Sequence, residues 1–193
     1  MQQRVAADAV PAVRGIEHQP LWFHMQIRRL NPSDASAFQT LRLQALRECP
    51  SAFSSSYEEE YETPITVIAG RLAPESGRDM FGAFSGTELV GTIGFGREEA
   101  LKLAHKGFIR SMYVSAPFRN QGIGRQLVSH ALQHAASLSG VRQVTLTVTA
   151  SNLAAIALYK KMGFTAFGLE PAALLVNGEF HDEIYMVRFV EQS

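Results

Sequence analysis

The sequence predicts an α/β chain in which strands and helices alternate through one domain. A first observation is the run Ile123, Leu127, Val128, Ala131, Leu132, Ala135 and Leu138, spaced three and four apart as one helical stripe, directly behind a strand-like segment at 107–114. A second is the alternation of Val144, Leu146 and Val148 with Thr145, Thr147 and Thr149, a strand with one greasy face. A third is size: 193 residues, 46% of them hydrophobic, suffice for one sizeable core.

Composition narrows the class. Formal net charge is zero, which argues against a polyanion-binding surface and so against nucleic acid as a partner. Cys49 is the only cysteine, so no intramolecular disulfide framework exists. No apolar run approaches the 18 or so residues that span a bilayer, and Asp8 and Pro11 interrupt the one apolar stretch near the start, which spoils a signal-peptide reading. A soluble, cytoplasmic protein with no membrane partner is expected.

Residues 1–24 lack a sustained period and contain Pro11, Gly15 and Pro20, so they read as an extension with little fixed structure, with Leu21-Trp22-Phe23 as its one docking element. The domain proper is 25–193, and its first strand is 25–30. Asn31, Pro32 and Asp34 then form a helix start: a cap, a proline at the first position and an acid in the first turn. The stripe Phe38, Leu41, Ala45 and Leu46 follows, and Cys49-Pro50 ends it. Residues 51–62 read as an irregular acidic loop carrying Glu58, Glu59, Glu60 and Glu62. Thr63-Pro64 starts a second helix with a stripe at Ile65, Ile68, Ala69 and Leu72. Strands at 80–84 and 89–95 flank Ser85-Gly86 as an antiparallel hairpin, and 107–114 is the central strand. After the central helix and the strand at 144–149, Ser151-Asn152 caps a helix over 153–162, closed by Gly163. The last strands are 164–169 and 184–190, with a turn at Asn177-Gly178 between them.

The junction of the central strand and helix carries the chemistry. Gly122 and Gly124 sit where the chain enters the helix, whose first N–H groups lack intrahelical partners and whose dipole adds partial positive charge. Arg119 and Arg125 bracket the turn. It reads either as a tight loop with two solvated arginines or as a cradle for a diphosphate. The nucleotide P-loop pattern is absent, and the dinucleotide fingerprint fails because position 127 is Leu.

The spacing Arg119-x-x-Gly122-x-Gly124 after a strand resembles the acetyl-coenzyme A pyrophosphate loop of the GNAT superfamily of N-acetyltransferases. The segment Asn152-x-x-Ala155-x-x-Leu158-Tyr159-x-x-x-Gly163-Phe164 is similar to that superfamily's second motif, and the order of elements matches from residue 25 onward. The resemblance implies a mixed, mostly antiparallel sheet of six to seven strands with two splayed parallel strands, and about four helices. It implies acetyl-coenzyme A as co-substrate, no metal, and a site in which the backbone of Met112, Tyr113 and Val114 bonds the pantetheine arm. Arg119, Asn120, Gln121, Gly122, Ile123, Gly124 and Arg125 would hold the diphosphate, with Asn152 and Ala155 against the cofactor.

Asn152 also reads as a plain helix cap. Tyr159, two turns on and on the same face, reads as a core tyrosine or as the general acid that protonates the departing thiolate. Lys160 and Lys161 read as last-turn cations. Many members of the superfamily carry a glutamate on the central strand as base; 109–113 contains no carboxylate, which leaves Glu58 and Glu59 in the acidic loop and Glu183 in the last strand, beside His181 and Asp182, as base candidates. His130 and His134 lie four apart on the central helix without a third ligand, and His105 stands alone. The expected activity is transfer of an acetyl group to a primary amine by direct attack in a ternary complex. The alternatives are a non-catalytic acyl-coenzyme A-binding module and a small-molecule phosphate binder. Many members of the superfamily pair through edge strands, and the apolar 185–190 strand is the candidate for such pairing into a homodimer; the sequence leaves the oligomeric state open.

Overall fold

The computed structural model describes residues 25–74 and 78–190. The expected N-terminal extension therefore lies outside the described residues. Seven strands form one sheet in the order β1-β2-β3-β4-β5-β7-β6. They are β1 Met25–Arg29, β2 Arg78–Ser85, β3 Glu88–Arg97, β4 Lys106–Val114, β5 Gln143–Thr149, β6 Thr165–Val176 and β7 Glu179–Phe189. The helices are α1 Ala35–Glu48, the single turn α2 Tyr57–Glu60, α3 Ile65–Leu72, α4 Ile123–Ser137 and α5 Leu153–Lys161. This is the expected mixed sheet; the added element is α2, where an irregular loop was expected. Ser56 nucleates that turn, accepting from the Glu59 N–H while the Glu59 carboxylate accepts from the Ser56 N–H, a capping box.

The helices divide between the two faces. The α4 stripe Ile123, Leu127, Val128, Ala131, Leu132 and Ala135 is buried against Ile93, Phe95, Val144, Leu146 and Val148 of the sheet. Each of its larger aliphatic side chains contributes roughly 1.5–3 kcal/mol on leaving water. On the opposite face, α1 and α3 bury Phe38, Leu41, Ala45, Ile68 and Leu72 with Phe84, Leu89 and Tyr113. Since β3 is covered on both faces, it is buried from end to end apart from Glu88 and Arg97. Ile65, expected in the α3 stripe, is 44% exposed because only Ile68 and Leu72 of this short helix turn inward.

Two stretches shape the site. β4 and β5 run parallel but pair only from Lys106↔Gln143 to Phe108↔Thr145. β5 by contrast pairs with β7 along its whole length, from Gln143↔Phe189 to Thr149↔Glu183. β7 therefore lies inside the sheet, and the expectation of an edge at 185–190 is corrected: the outer edge is β6. The last two strands also run on to the Asn177-Gly178 turn, longer than expected. A register shift between Glu170 and Leu174, with Ala172 at φ 52°, breaks the apolar alternation that marks a strand in sequence while the pairing resumes beyond it.

Candidate active site

Beyond Phe108 and Thr145 the parallel strands separate, and a cleft of about 470 Å³ opens between them. Every residue expected to hold the cofactor lines it except Gln121, whose side-chain amide instead donates to the Pro117 carbonyl at 3.1 Å. At one end, Asn120 (φ 61°) and Gly122 (φ 80°) are both left-handed and turn the chain sharply into α4. The first intrahelical bond, Gln126 N–H to the Gly122 carbonyl at 3.1 Å, leaves the N–H groups of Ile123, Gly124 and Arg125 at the helix mouth. A Cβ on Gly124 would lie 3.1 Å from Met112 Cε and 3.2 Å from Leu158 Cδ2, so a larger residue there would press on both side chains. Left-handed turn, unpartnered donors and bare Cα atoms suit an extended ligand ending in a diphosphate.

Arg119 is held beside this turn. Its Nε donates to the Val114 carbonyl at 2.8 Å, its Nη2 to Glu48 at 3.4 Å, and its guanidinium lies 5.4 Å from the Tyr113 ring. The buried Tyr113 hydroxyl donates to the same Glu48 carboxylate at 2.6 Å. That bond, with a second from Gln44, holds the Glu48 carboxyl below its ordinary value, while burial and the carboxylate push the Tyr113 phenol well up.

β4 carries a bulge at the centre of the cleft. Thr92 pairs with Tyr113 and Gly94 with Arg110, so Ser111 and Met112 together oppose Ile93, and Ser111 takes φ 52°. Opposite, Asn152 caps α5, its Oδ1 accepting from the Ala155 N–H at 3.2 Å. Tyr159 is 6% exposed; its hydroxyl points at Met112 Sδ, 3.2 Å away, and burial pushes its pKa up to about 12. Lys160 and Lys161 are exposed in the last turn of α5.

The three base candidates sit differently. Glu58 and Glu59 are exposed, and Glu59 is engaged in the Ser56 cap. Neighbouring Glu60 pairs with Arg42 at 2.8 Å; burial pushes its carboxyl up, but the guanidinium outweighs this and leaves it below the usual value. Glu183 is half-buried on β7, between Thr149 of β5 and Glu170 of β6, and burial together with the Glu170 charge raises its pKa. Asp182 accepts from the Ala172 N–H at 2.8 Å. Away from the cleft, His134 meets Asp79 at 2.8 Å and His130 packs on Phe81. Among the described residues no group of His, Cys, Asp and Glu could hold a metal ion, and no helix is long and apolar enough to cross a membrane.

Several lining residues escaped the sequence. Cys49, Ala52 and Phe53, from the segment after α1, close the cleft on the α1 side, and Thr149 donates to the Ser51 carbonyl. Arg110, Ser111, Thr147 and Thr149 line it from the strands. Alternation marked these residues as strand, but nothing local marked them as facing a gap.

A sequence model described as "Acetyltransferase (GNAT) family" matches residues 42–164. The chain belongs to that family. Among curated relatives, it is 37% identical over 114 residues to N-alpha-acetyltransferase MAK3 of Arabidopsis thaliana, covering 57% of each chain. It is 28% identical over 118 residues to the L-amino acid N-acetyltransferase AaaT of Escherichia coli, covering 61% of this chain and 72% of that one. The match to the histone acetyltransferase MCC1 of Arabidopsis thaliana, at 35% identity, covers 45% of this chain and 35% of the relative. The chain thus spans about a third to three fifths of the length of the first relatives it matches. The fold is shared with a GNAT-family acetyltransferase of Streptococcus pneumoniae (TM-score 0.79, 21% identity, 87% of this chain and 100% of that one). It is shared also with yncA of Salmonella typhimurium, solved with acetyl-coenzyme A (TM-score 0.72, 19% identity, 88% and 96%). The seven-stranded sheet with its one parallel pair is thus the GNAT architecture.

Proposed function

We propose that this GNAT protein transfers the acetyl group of acetyl-coenzyme A to a primary amine by direct attack in a ternary complex. The observation that carries this is the wedge between β4 and β5, which ends at the left-handed turn into α4 and has the Tyr159 hydroxyl on its floor. The diphosphate lies on the N–H groups of Ile123–Arg125 beside Arg119, and the pantetheine arm follows the backbone of Met112–Val114. The amine nitrogen forms a bond to the acetyl carbon, the carbon–sulfur bond breaks, and the amine proton passes to a base. Tyr159 keeps its proton at neutral pH, so it donates a hydrogen bond to the leaving sulfur and supplies the proton as the thiolate departs. Of Glu58, Glu59 and Glu183, the last is the base this reading favours: it is half-buried next to Thr149, and its raised pKa makes it the stronger proton acceptor.

Calorimetric titration with acetyl-coenzyme A, coenzyme A and adenosine diphosphate tests the reading. Micromolar binding that requires the pantetheine arm supports it; no binding of any of the three overturns it. Binding without turnover on any amine would favour the non-catalytic acyl-coenzyme A module, a reading to which the lack of a carboxylate in 109–113 lends some weight. The proposal places the protein in the cytoplasm and assigns self-association to the exposed β6 edge; cell fractionation and light scattering check these two points.

A further inference from the structure

Met112 reaches the cleft through a change of phase in β4. Ile109 belongs to the core under α4, whereas Tyr113, four residues on, belongs to the core under α1. A regular strand would put both on one face. The extra residue at the bulge, where Ser111 takes φ 52°, shifts the alternation by one. Met112 is thereby turned to the α4 side, half-buried against that core, where α5 presents Tyr159.

Its side chain is held at two points. The ε-methyl lies 3.1 Å from where a Cβ on Gly124 would stand, so the bare glycine gives the methyl its seat. The Sδ accepts from the Tyr159 hydroxyl at 3.2 Å, and among the described residues it is the one hydrogen-bond partner this phenol has. A thioether is a weak acceptor. It orients the phenol without binding it firmly, so little is lost when the hydroxyl turns to a departing thiolate, whose charge makes the stronger bond. Only an interaction that strengthens as that charge develops lowers the barrier. A strong neutral acceptor in place of the sulfur would hold the phenol back. Met112 carries such an acceptor in latent form, because a thioether takes up oxygen to become a sulfoxide. It is the one methionine lining the cleft, which opens it to a molecule as small as hydrogen peroxide.

We propose that Met112 is a positioning residue for the transfer, its thioether aiming the Tyr159 hydroxyl, and that oxidation of this sulfur by hydrogen peroxide holds the phenol and stops turnover. This rests on the acetyltransferase reading above. One peroxide oxygen bonds to Sδ as the O–O bond breaks; the sulfur gives up two electrons, and the other oxygen leaves as water. The sulfoxide oxygen then accepts from Tyr159. A dithiol, through the methionine sulfoxide reductases that serve the two epimers, returns the thioether and releases water.

The test uses the full chain, and its first arm needs no acceptor. Mass spectrometry follows sulfoxide formation at Met112 under peroxide, with Met25 and Met162, outside the cleft, as references. Oxidation is expected to be at least about twofold faster in Tyr159→Phe, where the sulfur lone pair is free, and at least about fivefold slower under saturating acetyl-coenzyme A. Equal rates with and without the phenol, or no protection, overturn the proposal. The second arm removes the peroxide and measures coenzyme A release with a panel of L-amino acids, spermidine and a methionine-free peptide. Oxidised protein should turn over at least about tenfold more slowly, with acetyl-coenzyme A affinity within about threefold. Dithiothreitol alone, which clears reversible oxidation of Cys49, leaves turnover low; dithiothreitol with both reductases restores it. Met112→Leu, close in volume, is slower than wild type but indifferent to peroxide, and Met112→Gln, with its permanent oxygen acceptor, copies the oxidised state. In a Tyr159→Phe background Met112→Gln has no further effect, since it acts through the phenol. Recovery with dithiothreitol alone, or peroxide sensitivity surviving in Met112→Leu, overturns the proposal. The wild-type measurements need no variant, so a misfolded one leaves them standing. Turnover untouched by oxidation of Met112 sinks this proposal alone; no turnover on any amine before oxidation sinks the acetyltransferase reading beneath it as well.

Discussion

At the end proposed for the diphosphate the cleft is made from one stretch of chain, running from β4 through the turn at 119–125 into α4. At its other end, the one proposed for the acceptor, it is gathered from Cys49 and Phe53 after α1, Arg110 on β4, Thr147 and Thr149 on β5, with Glu183 on β7 beside them. The first end works through backbone: two left-handed residues, three N–H groups and two glycines. The second works through side chains brought together by the sheet. A backbone site tolerates little change and binds whatever carries the matching phosphate, whereas a side-chain site can be respecified one residue at a time.

Substitutions at the two ends should therefore behave differently. The largest effect is expected from Gly122→Trp with Gly124→Trp, which forces a bulky residue to φ 80° and fills the floor against Met112 and Leu158. Acetyl-coenzyme A affinity should fall at least about 100-fold in calorimetry; retained affinity would show that the turn is not the diphosphate seat. Tyr159→Phe comes next, with kcat reduced by roughly 100-fold and cofactor affinity nearly unchanged. Unchanged turnover removes the phenol from the chemistry.

A smaller, sharper contrast lies among the carboxylates. Glu183→Gln should lower kcat by about tenfold or more, while Glu58→Gln should leave it unaltered. The sign of the pH effect follows from the raised Glu183 pKa: a base must be ionised, so kcat falls as pH drops through a value above the ordinary glutamate range. That acid limb should vanish in Glu183→Gln; its persistence would point to another base.

The same contrast explains what the sequence disclosed. The lining residues Arg119, Gly122 and Gly124 were legible because they lie within one turn, and Asn152 and Tyr159 because they lie within two turns of one helix, so their spacing shows in the sequence as a resemblance to a family motif. Arg110 and Thr147 line one cleft only because β4 and β5 stop pairing after Phe108 and Thr145, a decision of the whole sheet. Ser111 looked like ordinary strand, since nothing in a serine announces a left-handed bulge. Cys49 and Phe53 come within reach of β5 through the Thr149 bond to Ser51, 98 residues apart in sequence. The ends of β6 and β7 were misjudged for a local reason, the irregularity at Glu170–Leu174.

The smallest effect is expected far from the cleft. Asp34 takes two bonds from Arg28, both 2.7 Å, and one from the Asn31 N–H at 2.9 Å, and the Arg28 bond lowers its pKa. Asp34→Ala should cost about 1–2 kcal/mol in denaturant unfolding without altering kcat. Because the folded-state pKa is lowered, this stabilisation is present above the ordinary aspartate value and disappears as pH falls through the lowered one.

The bulge in β6 has a consequence for how the protein lives at high concentration. A rim strand that shows Phe167, Leu169 and Leu175 to solvent is the kind of surface on which copies stack into fibres. Pro171 offers no N–H to such a stack, and the Ala172 N–H is already taken by Asp182. The proline and the register shift between Glu170 and Leu174 interrupt the regular edge that a stacking copy would need. The rim can be greasy enough to be covered and still resist aggregation.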